Sequence, residues 1–362
     1  MSNLIYLSDI CDFQGGTQPP KEQWSTSLKD GYVRMLQIRD FTQSEKAEPE
    51  YVKYSTNLKM CKSDDVLIAR YGASLGKILT GLSGAYNVAI MKTIPNENKI
   101  TKSYLYYFLL SDSFQNMIKS VGSRAAQAGF NKEDLSLIKL KCPSIEKQEE
   151  KCIILNHVYN LIDKRKRQIL LLDKLVKSRF IEMFGKAQVN PRNFTIMPWE
   201  KVFFTTTGKL DSNAMVEDGQ YPFFTCAKEI FKIDTYAFDC EALLLAGNNA
   251  AGIYDVKYYK GKFNVYQRTY VLRLTNSRWS YQLFKKQLED KLLYLQTKSK
   301  GTNTRYLTMG ILKELQFLVP PITLQNEFAH FVEQTDKSKL EIQKSLDKLE
   351  ILKKSLMQQY FG

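Results

Sequence analysis

Several short motifs in this chain contain residue types that could do chemistry, but each departs from the pattern that the chemistry requires. Gly72-Ala73-Ser74-Leu75-Gly76-Lys77 has the glycines and the lysine of a phosphate-binding loop. Such a loop needs four residues between its glycines and a Ser or Thr directly after the lysine. Here three residues separate the glycines, and Ile78 follows the lysine. We therefore expect no nucleotide hydrolysis.

The chain also lacks the residues that methyl transfer and hydrolysis by a catalytic triad require. Asn190-Pro191-Arg192-Asn193 lacks the second proline and the aromatic residue of the Asn-Pro-Pro-aromatic motif of amino-methyltransferases. His157 and His330 are the two histidines, and neither has a matching nucleophile. The sequence predicts no catalytic residue.

The cysteine and histidine pattern predicts no metal site. Cysteines stand at 11, 61, 142, 152, 226 and 240, without a Cys-x-x-Cys pair. The N-terminus lacks a basic segment followed by an apolar run, and no stretch approaches the roughly 18 apolar residues of a membrane span. We expect a cytoplasmic protein with reduced thiols.

The charge indicates the kind of partner. The 362 residues carry a net charge of +14, which favours polyanions, with nucleic acid ahead of an anionic membrane. Many soluble proteins are basic, so charge alone does not establish that the partner is a nucleic acid. With 44% apolar residues, each half of the chain can bury a core of its own.

The chain contains an internal duplication. Pro143, Ile145, Gln148 and Glu150 recur 177 residues later, from Pro320 to Glu327, and Phe184-Gly185 recurs as Phe361-Gly362 at the same displacement. A repeat at half the chain length indicates a duplicated domain, since a solenoid repeats every 20–50 residues or so.

Each half combines strand and helix patterns, so we predict a mixed α/β (α+β) fold. Strands are expected at residues 32–39, 66–69, 135–140, 242–245, 265–274 and 312–319. Single helices are expected at 101–120 and 277–296.

Two long helices follow the prolines, at residues 147–184 and 324–361, each roughly 57 Å long. The apolar stripes that would bury each other in an antiparallel coiled coil comprise Ile162, Ile169, Leu172, Val176, Phe180, Ile342, Leu346, Leu349 and Leu356. This predicts a pseudo-twofold molecule with a globular domain at either end. The predicted domains are 1–142 and 186–319, and the spacer helices are 143–185 and 320–362.

These motifs, in this order, resemble the DNA-specificity subunits of type I restriction–modification systems. Gly15-Gly16-Thr17-Gln18-Pro19 is similar to the family's opening turn, and residues 65–77 are similar to its strand-and-loop signature. Pro143 to Gln148 resembles the entry to the spacer helix, and Pro321 to Gln325 repeats it. In the second half, residues 219–223 and 261–269 resemble a second type of target-recognition domain, whose loop at 247–252 departs from the Gly-x-x-x-Gly-Lys spacing of the first half.

The resemblance implies a non-catalytic subunit whose two target-recognition domains bind the two halves of a bipartite DNA site. The helices would set the spacing and dock two adenine-N6 methyltransferase subunits, which motor-nuclease (restriction) subunits join. This chain would hold no cofactor, since S-adenosylmethionine, Mg²⁺ and ATP belong to those partners. The alternatives are an autonomous nuclease or methyltransferase, and a coiled-coil adaptor for protein partners.

Polar residues of the loops are the candidates for contacts with phosphates and base edges. They are Thr17, Gln18, Arg39, Arg70, Tyr71, Ser74, Lys77, Arg124, Gln127 and Asn131 in the first half, and Lys209, Lys228, Asn248, Asn249, Arg268, Lys300, Asn303, Thr304 and Arg305 in the second. Arg39, Arg70 and Arg268 lie in or beside predicted strands, where an internal salt bridge is an equal alternative.

Overall fold

The computed structural model describes residues 4–43, 46–122, 129–185 and 190–362. These residues form two compact units. The first comprises Met1–Lys166 together with Lys344–Gly362, and the second comprises Arg167–Gln343. Each unit therefore contains one globular part and a portion of both long helices.

The first unit has eleven strands among the described residues, in three antiparallel or mixed sheets. Their bounds are β1 Leu4–Tyr6, β2 Cys11–Gly15, β3 Trp24–Ser25, β4 Tyr32–Leu36, β5 Glu50–Lys53, β6 Met60–Cys61, β7 Leu67–Ala69, β8 Ile78–Leu79, β9 Gly84–Tyr86, β10 Ile90–Pro95 and β11 Lys139–Lys141. The sheet orders are β2-β10-β7-β8, β3-β5-β4-β9-β6 and β1-β11.

The first unit contains five α-helices in the described ranges, and all but the first pack against one face of its four-stranded sheet. They are α1 Ile38–Thr42, α2 Lys102–Leu110, α3 Asp112–Gly122, α4 Lys132–Ser136 and the beginning of α5, which runs over Ile145–Phe184. The core between them includes Ile68, Tyr104 and Phe108, and it is completed by Tyr360 and Phe361 from the end of the chain. The end of the chain thus belongs to the core of the N-terminal unit.

The second unit has ten strands within the described ranges. They are β12 Thr195–Pro198, β13 Phe203–Thr207, β14 Tyr221–Phe224, β15 Phe231–Ile233, β16 Phe238–Ala246, β17 Asn248–Asn249, β18 Val256–Val265, β19 Thr269–Leu274, β20 Arg305–Tyr306 and β21 Gln316–Val319. The sheet orders are β13-β19-β16-β18-β14-β15, β12-β21 and β17-β20. Its helices are α6 Trp199–Val202, α7 Tyr281–Asp290, α8 Leu292–Lys298, α9 Met309–Lys313 and the beginning of α10, which runs over Ile322–Phe361.

The two units share a topology. The order β2-β10-β7-β8 in the first matches β13-β19-β16-β18 in the second, and the β1-β11 pair matches β12-β21. The sequence repeat is thus a repeat of structure.

The repeated glutamine explains part of this likeness. Gln148 and Gln325 are fully buried. Each accepts a backbone N–H bond through its Oε1 atom, Gln148 from Thr101 at 2.9 Å and Gln325 from Ser280 at 3.0 Å. Thr101 and Ser280 are the N-caps of α2 and α7. Each glutamine also donates to the carbonyl of the proline five residues before it. The motif therefore joins the start of each long helix to the cap of another helix.

Within each unit the portions of α5 and α10 run antiparallel. In the first, Lys166 bonds to Glu350 at 3.1 Å, and Lys353 lies over the ring of Tyr159. In the second, Asp173 pairs with Lys339, and Arg179 pairs with Glu327 at 2.6 Å. Both helices have 40 residues, and the predicted architecture of two mixed α/β domains with two long antiparallel helices is confirmed.

The nine predicted seam residues are buried or half-buried. Val176 and Phe180 join the core of the second unit, together with Phe328 and Val332. Their register along one continuous seam stays a prediction, as do the four domain boundaries.

Several element predictions were wrong in detail. The helix expected at 101–120 is broken at Ser111, whose hydroxyl donates to Phe108 O at 2.6 Å and accepts from Phe114 N at 3.3 Å. A side chain that bonds to the backbone in this way competes with the helix. The helix expected at 277–296 is likewise divided, at Lys291 between α7 and α8.

The alternating residues at 135–140 and 312–319 are also only partly strand. Each begins with a short helix, α4 or α9, whose N-cap is Asn131 or Thr308. Similarly, 32–39 ends in α1. At Asn131 and Thr308 the side chain of the cap residue accepts a backbone bond, and this outweighs the alternating pattern. None of the helices in the described ranges combines the length and the apolar composition that a membrane span requires.

Candidate nucleic-acid interface

Three loops of the first unit pack against one another. The loop after β2 donates backbone bonds from Gly16 to Ile90 O and from Thr17 to Tyr86 O, both at 3.1 Å. A side chain at Gly16 could not fit, because its Cβ would lie 2.1 Å from Asn87 O. The residue must therefore be glycine for the 15–18 loop to approach the 86–90 segment.

Arg70 joins the loop after β7 to the same place. Its backbone N–H donates to Ala89 O at 2.9 Å, and its side chain donates to Val88 O and Phe130 O, both at 3.3 Å. Tyr71 forms a bridge with Gly129, which extends the loop face towards Asn131. Arg70 thus holds the loops together through bonds to carbonyl groups, and the ion pairs found within the described ranges do not include it.

The loop resembling a phosphate-binding loop has a different structure. Gly72–Ser74 forms a 3-10 turn, and the chain then enters the short strand β8. A phosphate-binding loop leads from a strand into a helix instead. Lys77 is exposed at this turn and Ser74 is half-buried, so Lys77 is accessible to a ligand and Ser74 is partly accessible.

The other candidates of the first unit differ in their solvent exposure and in the bonds that they already make. Gln18 and Tyr71 are exposed, and Thr17 is half-buried. Arg39 is ion-paired with Glu50. Asn131 is exposed but caps α4, accepting from Asp134 N at 2.8 Å. Arg124 and Gln127 lie outside the described residues.

A corresponding set of loops meets in the second unit. Gly208 follows β13 as Gly16 follows β2, and a Cβ there would lie 1.9 Å from Val265 O. The next residues, Lys209 and Leu210, are held by a bond from Gln267 N to Leu210 O at 2.8 Å. The carbonyl of Arg268 accepts from Gly247 N at 2.9 Å. The loop after β16 therefore lies beside the Tyr266–Arg268 turn.

The short sheet β17-β20 adds the remaining candidates. Asn248 pairs with Tyr306 and Asn249 with Arg305, while Lys300 bridges Tyr306. These pairings create a hairpin whose exposed tip carries Asn303 and Thr304. The side chain of Asn249 accepts from two backbone N–H groups, those of Ala251 and Ile253, so its oxygen shapes the loop.

The two remaining cations, Lys228 and Arg268, lie on chain segments that are joined by the bond from Cys226 to Arg268. Lys228 is exposed and follows Ala227, whose carbonyl accepts from Lys257 at 2.8 Å. Arg268 is exposed, and its carbonyl also accepts from Cys226 Sγ at 3.5 Å. The structure thus brings all nine candidates of the second unit to one group of loops.

The electrostatics of both loop groups favour an anionic partner. Within the described ranges, the ion pairs do not include Lys77, Lys209, Arg268 or Lys300. Exposed cations without a carboxylate partner are available for phosphate groups. Asn and Gln side chains in the same loops can read base edges.

Two segments that lie within these loop groups were not predicted from the sequence as parts of the interface. One is the 86–90 segment with its exposed Val88, and the other is the Tyr266–Gln267 turn with its exposed Gln267. The signal that could have found them is weak, since it consists of Gly16 and Gly208, whose contacts lie far away in sequence.

Three buried thiols of the first unit are not activated as nucleophiles. Burial raises the pKa of Cys11 to about 12 and the pKa of Cys61 and Cys152 to about 11. These thiols are therefore protonated at neutral pH, whereas nucleophilic chemistry needs the thiolate. Groups of three or more His, Cys, Asp or Glu able to hold a metal ion are absent from the described residues.

Comparison with known proteins identifies the family. A model of the type I restriction modification DNA specificity domain matches residues 3–171 and again 193–352. The chain belongs to this family. Its two matches coincide with the two structural repeats, so each specificity domain carries one of the two loop groups.

Related specificity proteins include the type I restriction enzyme EcoDI specificity subunit of Escherichia coli, 41% identical over 117 residues, which are 32% of this chain and 25% of that protein. The MjaVIII specificity subunit of Methanocaldococcus jannaschii is 28% identical over 147 residues, 40% of this chain and 34% of its own length. The matches thus span about a third or less of these relatives.

A solved structure has the same fold over nearly the whole chain. The crystal structure of a type-I restriction-modification system S subunit from M. genitalium superposes with a TM-score of 0.67, covering 99% of this chain and 96% of that one, at 14% identity. The predicted family and fold are both confirmed.

Proposed function

We propose that this specificity-family chain binds a bipartite DNA site, one half-site through each loop group, and itself contributes no catalytic step. The observation that carries the proposal is the duplicated loop face. In both units, loops that follow equivalent strands meet around an equivalent glycine and present exposed cations and amides. Two like faces in one chain suit two separate stretches of one duplex.

The two kinds of side chain would have different tasks. Lys77, Lys209 and Lys300 would neutralise phosphates, which supplies affinity and makes it depend on salt. Gln18, Asn248 and the other amides would contact base edges, where an Asn or Gln forms two bonds with adenine and an Arg forms two with guanine. Arg70, which binds three carbonyl groups through its backbone and side chain, would act by holding its loops in place.

The long helices would dock two methyltransferase subunits, which motor-nuclease subunits would join. Exposed leucines recur on them at the repeat displacement: Leu175 on α5 is 48% exposed, and Leu352 on α10 is 45% exposed. A repeated apolar position suits two copies of one partner. S-adenosylmethionine, Mg²⁺ and ATP would bind to those partners. A DNA-bound complex of this kind would work in the cytoplasm.

The Arg305→Ala variant tests the DNA contact. We expect it to weaken binding of the cognate second half-site by about 1–3 kcal/mol, with little effect on other sequences, because an arginine that reads guanine does so through two bonds. Binding should be measured by titration of the complete complex with duplexes that carry or lack each half-site.

The control is Arg278→Ala, which removes an equal charge from an exposed position outside the loop group. An equal loss on all sequences would reassign Arg305 to a phosphate. Identical binding by the wild-type complex to every duplex would refute the proposed function.

The exposed leucines also suit a coiled-coil adaptor without a nucleic-acid role. A salt titration separates the two functions. DNA binding through several phosphates should weaken steeply as salt rises, whereas an adaptor would show no salt-dependent DNA binding. Cleavage or methylation of DNA by the purified chain alone would instead favour an autonomous enzyme.

A further inference from the structure

A cavity of about 370 Å³ opens in the first unit beside the 15–18 loop. Its lining residues are Gln18, Lys21, Trp24, Gln37, Arg39 and Glu50. Gln18 belongs both to this cavity and to the loop group proposed to bind DNA. The cavity therefore adjoins the loop group that is proposed to bind DNA.

The lining includes one carboxylate, that of Glu50, which is bonded to two other lining residues. Gln37 Nε2 and Arg39 Nη2 both donate to Oε2 of Glu50. A carboxylate has a second acceptor oxygen, which these two bonds do not use. The Glu50 side chain is 29% exposed and that of Arg39 is 47% exposed, so a ligand can reach both.

The surrounding structure holds this group in place. Asp40 is buried, accepts from Gln37 N at 2.8 Å and is paired with Arg34 at 3.1 Å, which fixes the beginning of α1 and hence Arg39. Trp24 donates its indole N–H to Pro19 O at 3.0 Å. Preorganised acceptors of this kind need little rearrangement when a ligand binds.

A negative charge on a face that binds a polyanion costs affinity, and the ion pair with Arg39 offsets this cost at Glu50. An ionised carboxylate accepts hydrogen bonds and cannot donate them. In the major groove it therefore favours a base with an exocyclic amine, cytosine N4 or adenine N6, and disfavours the O6 of guanine and the O4 of thymine.

We propose that Glu50 is a specificity-determining residue that reads an amino-bearing base in the half-site bound by the first unit. Arg39 and Gln37 hold its carboxylate, and Arg39 also offsets its charge. This inference rests on the proposed function, and it adds the chemistry of one base position.

The test is a map of methylated adenines in DNA from cells that carry this chain and its partner subunits. Wild type is compared with deletion of the chain and with the variants Glu50→Gln, Glu50→Ala and Glu48→Gln. Glu48 is exposed, lies two residues away and is not part of the cavity lining, so it controls for the lost charge.

We expect the wild-type motif to require cytosine or adenine at one position of one half-site, and the map will tell which of the two. An amide can donate as well as accept, so Glu50→Gln should raise methylation at sites with guanine or thymine there about tenfold relative to the original site. Glu50→Ala should relax that position to all four bases. Glu48→Gln should keep the motif, and the other half-site should not change in any variant.

The failures are distinguishable. If deletion of the chain leaves methylation unchanged, the proposed function is wrong, and this inference fails with it. If deletion abolishes the motif but both Glu50 variants retain the wild-type base requirement, only the reading role is wrong. The reading role would also be wrong if the Glu50 variants stay folded by circular dichroism and methylate all sites more weakly without a changed base requirement. Glu50 would then only support Arg39.

Discussion

A chain that ends at Gly185 should fold only as a dimer. In the intact protein, the first unit takes residues 344–362 from the end of the chain. That segment contributes Leu346, Tyr360 and Phe361, all buried, and the Phe361 ring lies 5.0 Å from that of Tyr104. Truncation at residue 185 removes all three and opens the core of the first unit.

The magnitude follows from the side chains that are lost. Burying one large apolar side chain contributes about 1.5–3 kcal/mol, so three contribute about 5–9 kcal/mol. This is comparable with the whole stability of a domain, which is about 5–15 kcal/mol. A monomer of residues 1–185 should therefore be marginally stable at best.

A second copy can supply what is missing. At the repeat displacement, Phe184 corresponds to Phe361, and Met183 corresponds to Tyr360. In the intact chain these two residues of α5 are buried in the core of the second unit, which the fragment lacks. In a dimer, the end of α5 from each copy would fill the core of the other. The same dimer should redirect the complex to a palindrome of the first half-site.

The assay is sedimentation equilibrium of fragment 1–185, combined with thermal unfolding at several concentrations. We expect a dimer whose unfolding midpoint rises with concentration. Phe184→Ala in the fragment should weaken dimerisation by at least about 100-fold, because a buried Phe→Ala change costs about 3–5 kcal/mol. A monomer that unfolds cooperatively at a midpoint independent of concentration would refute this reasoning, as would unchanged asymmetric specificity of the complex.

Two further predictions concern the repeated residues. Gln148→Leu and Gln325→Leu should each destabilise the intact chain by about 1–3 kcal/mol, because buried backbone groups lose their hydrogen-bond partner. Urea unfolding measures the change in stability, and Glu149→Leu, at an exposed position, is the control. An unchanged unfolding midpoint in the glutamine variants would contradict the prediction. Leu175→Glu and Leu352→Glu should each remove one of two methyltransferase subunits from the purified complex, and the double variant should lose both. Native mass spectrometry counts the bound subunits. A double variant that still binds two methyltransferase subunits would rule out docking at these leucines.

The element predictions succeeded where a local pattern has a local cause. Pro143 and Pro320 cannot continue a strand, and the periodic residues after them specify long helices, which the structure contains. The predictions were wrong where a side chain acts on the backbone. Ser111 divides a helix, and the Asn131 cap replaces part of a strand, although both signals stand in the sequence.

The sequence by itself determined the duplication, the mixed α/β class, the two long helices and the family, because each depends on residue order and short-range periodicity. Only the tertiary structure decided which loops meet, that Arg70 binds carbonyl groups, and that Glu50 shares a cavity with Gln18. It also decided that Phe361 completes the core of the first unit. These facts depend on contacts between residues tens or hundreds of positions apart, and no local pattern in a single chain specifies such contacts.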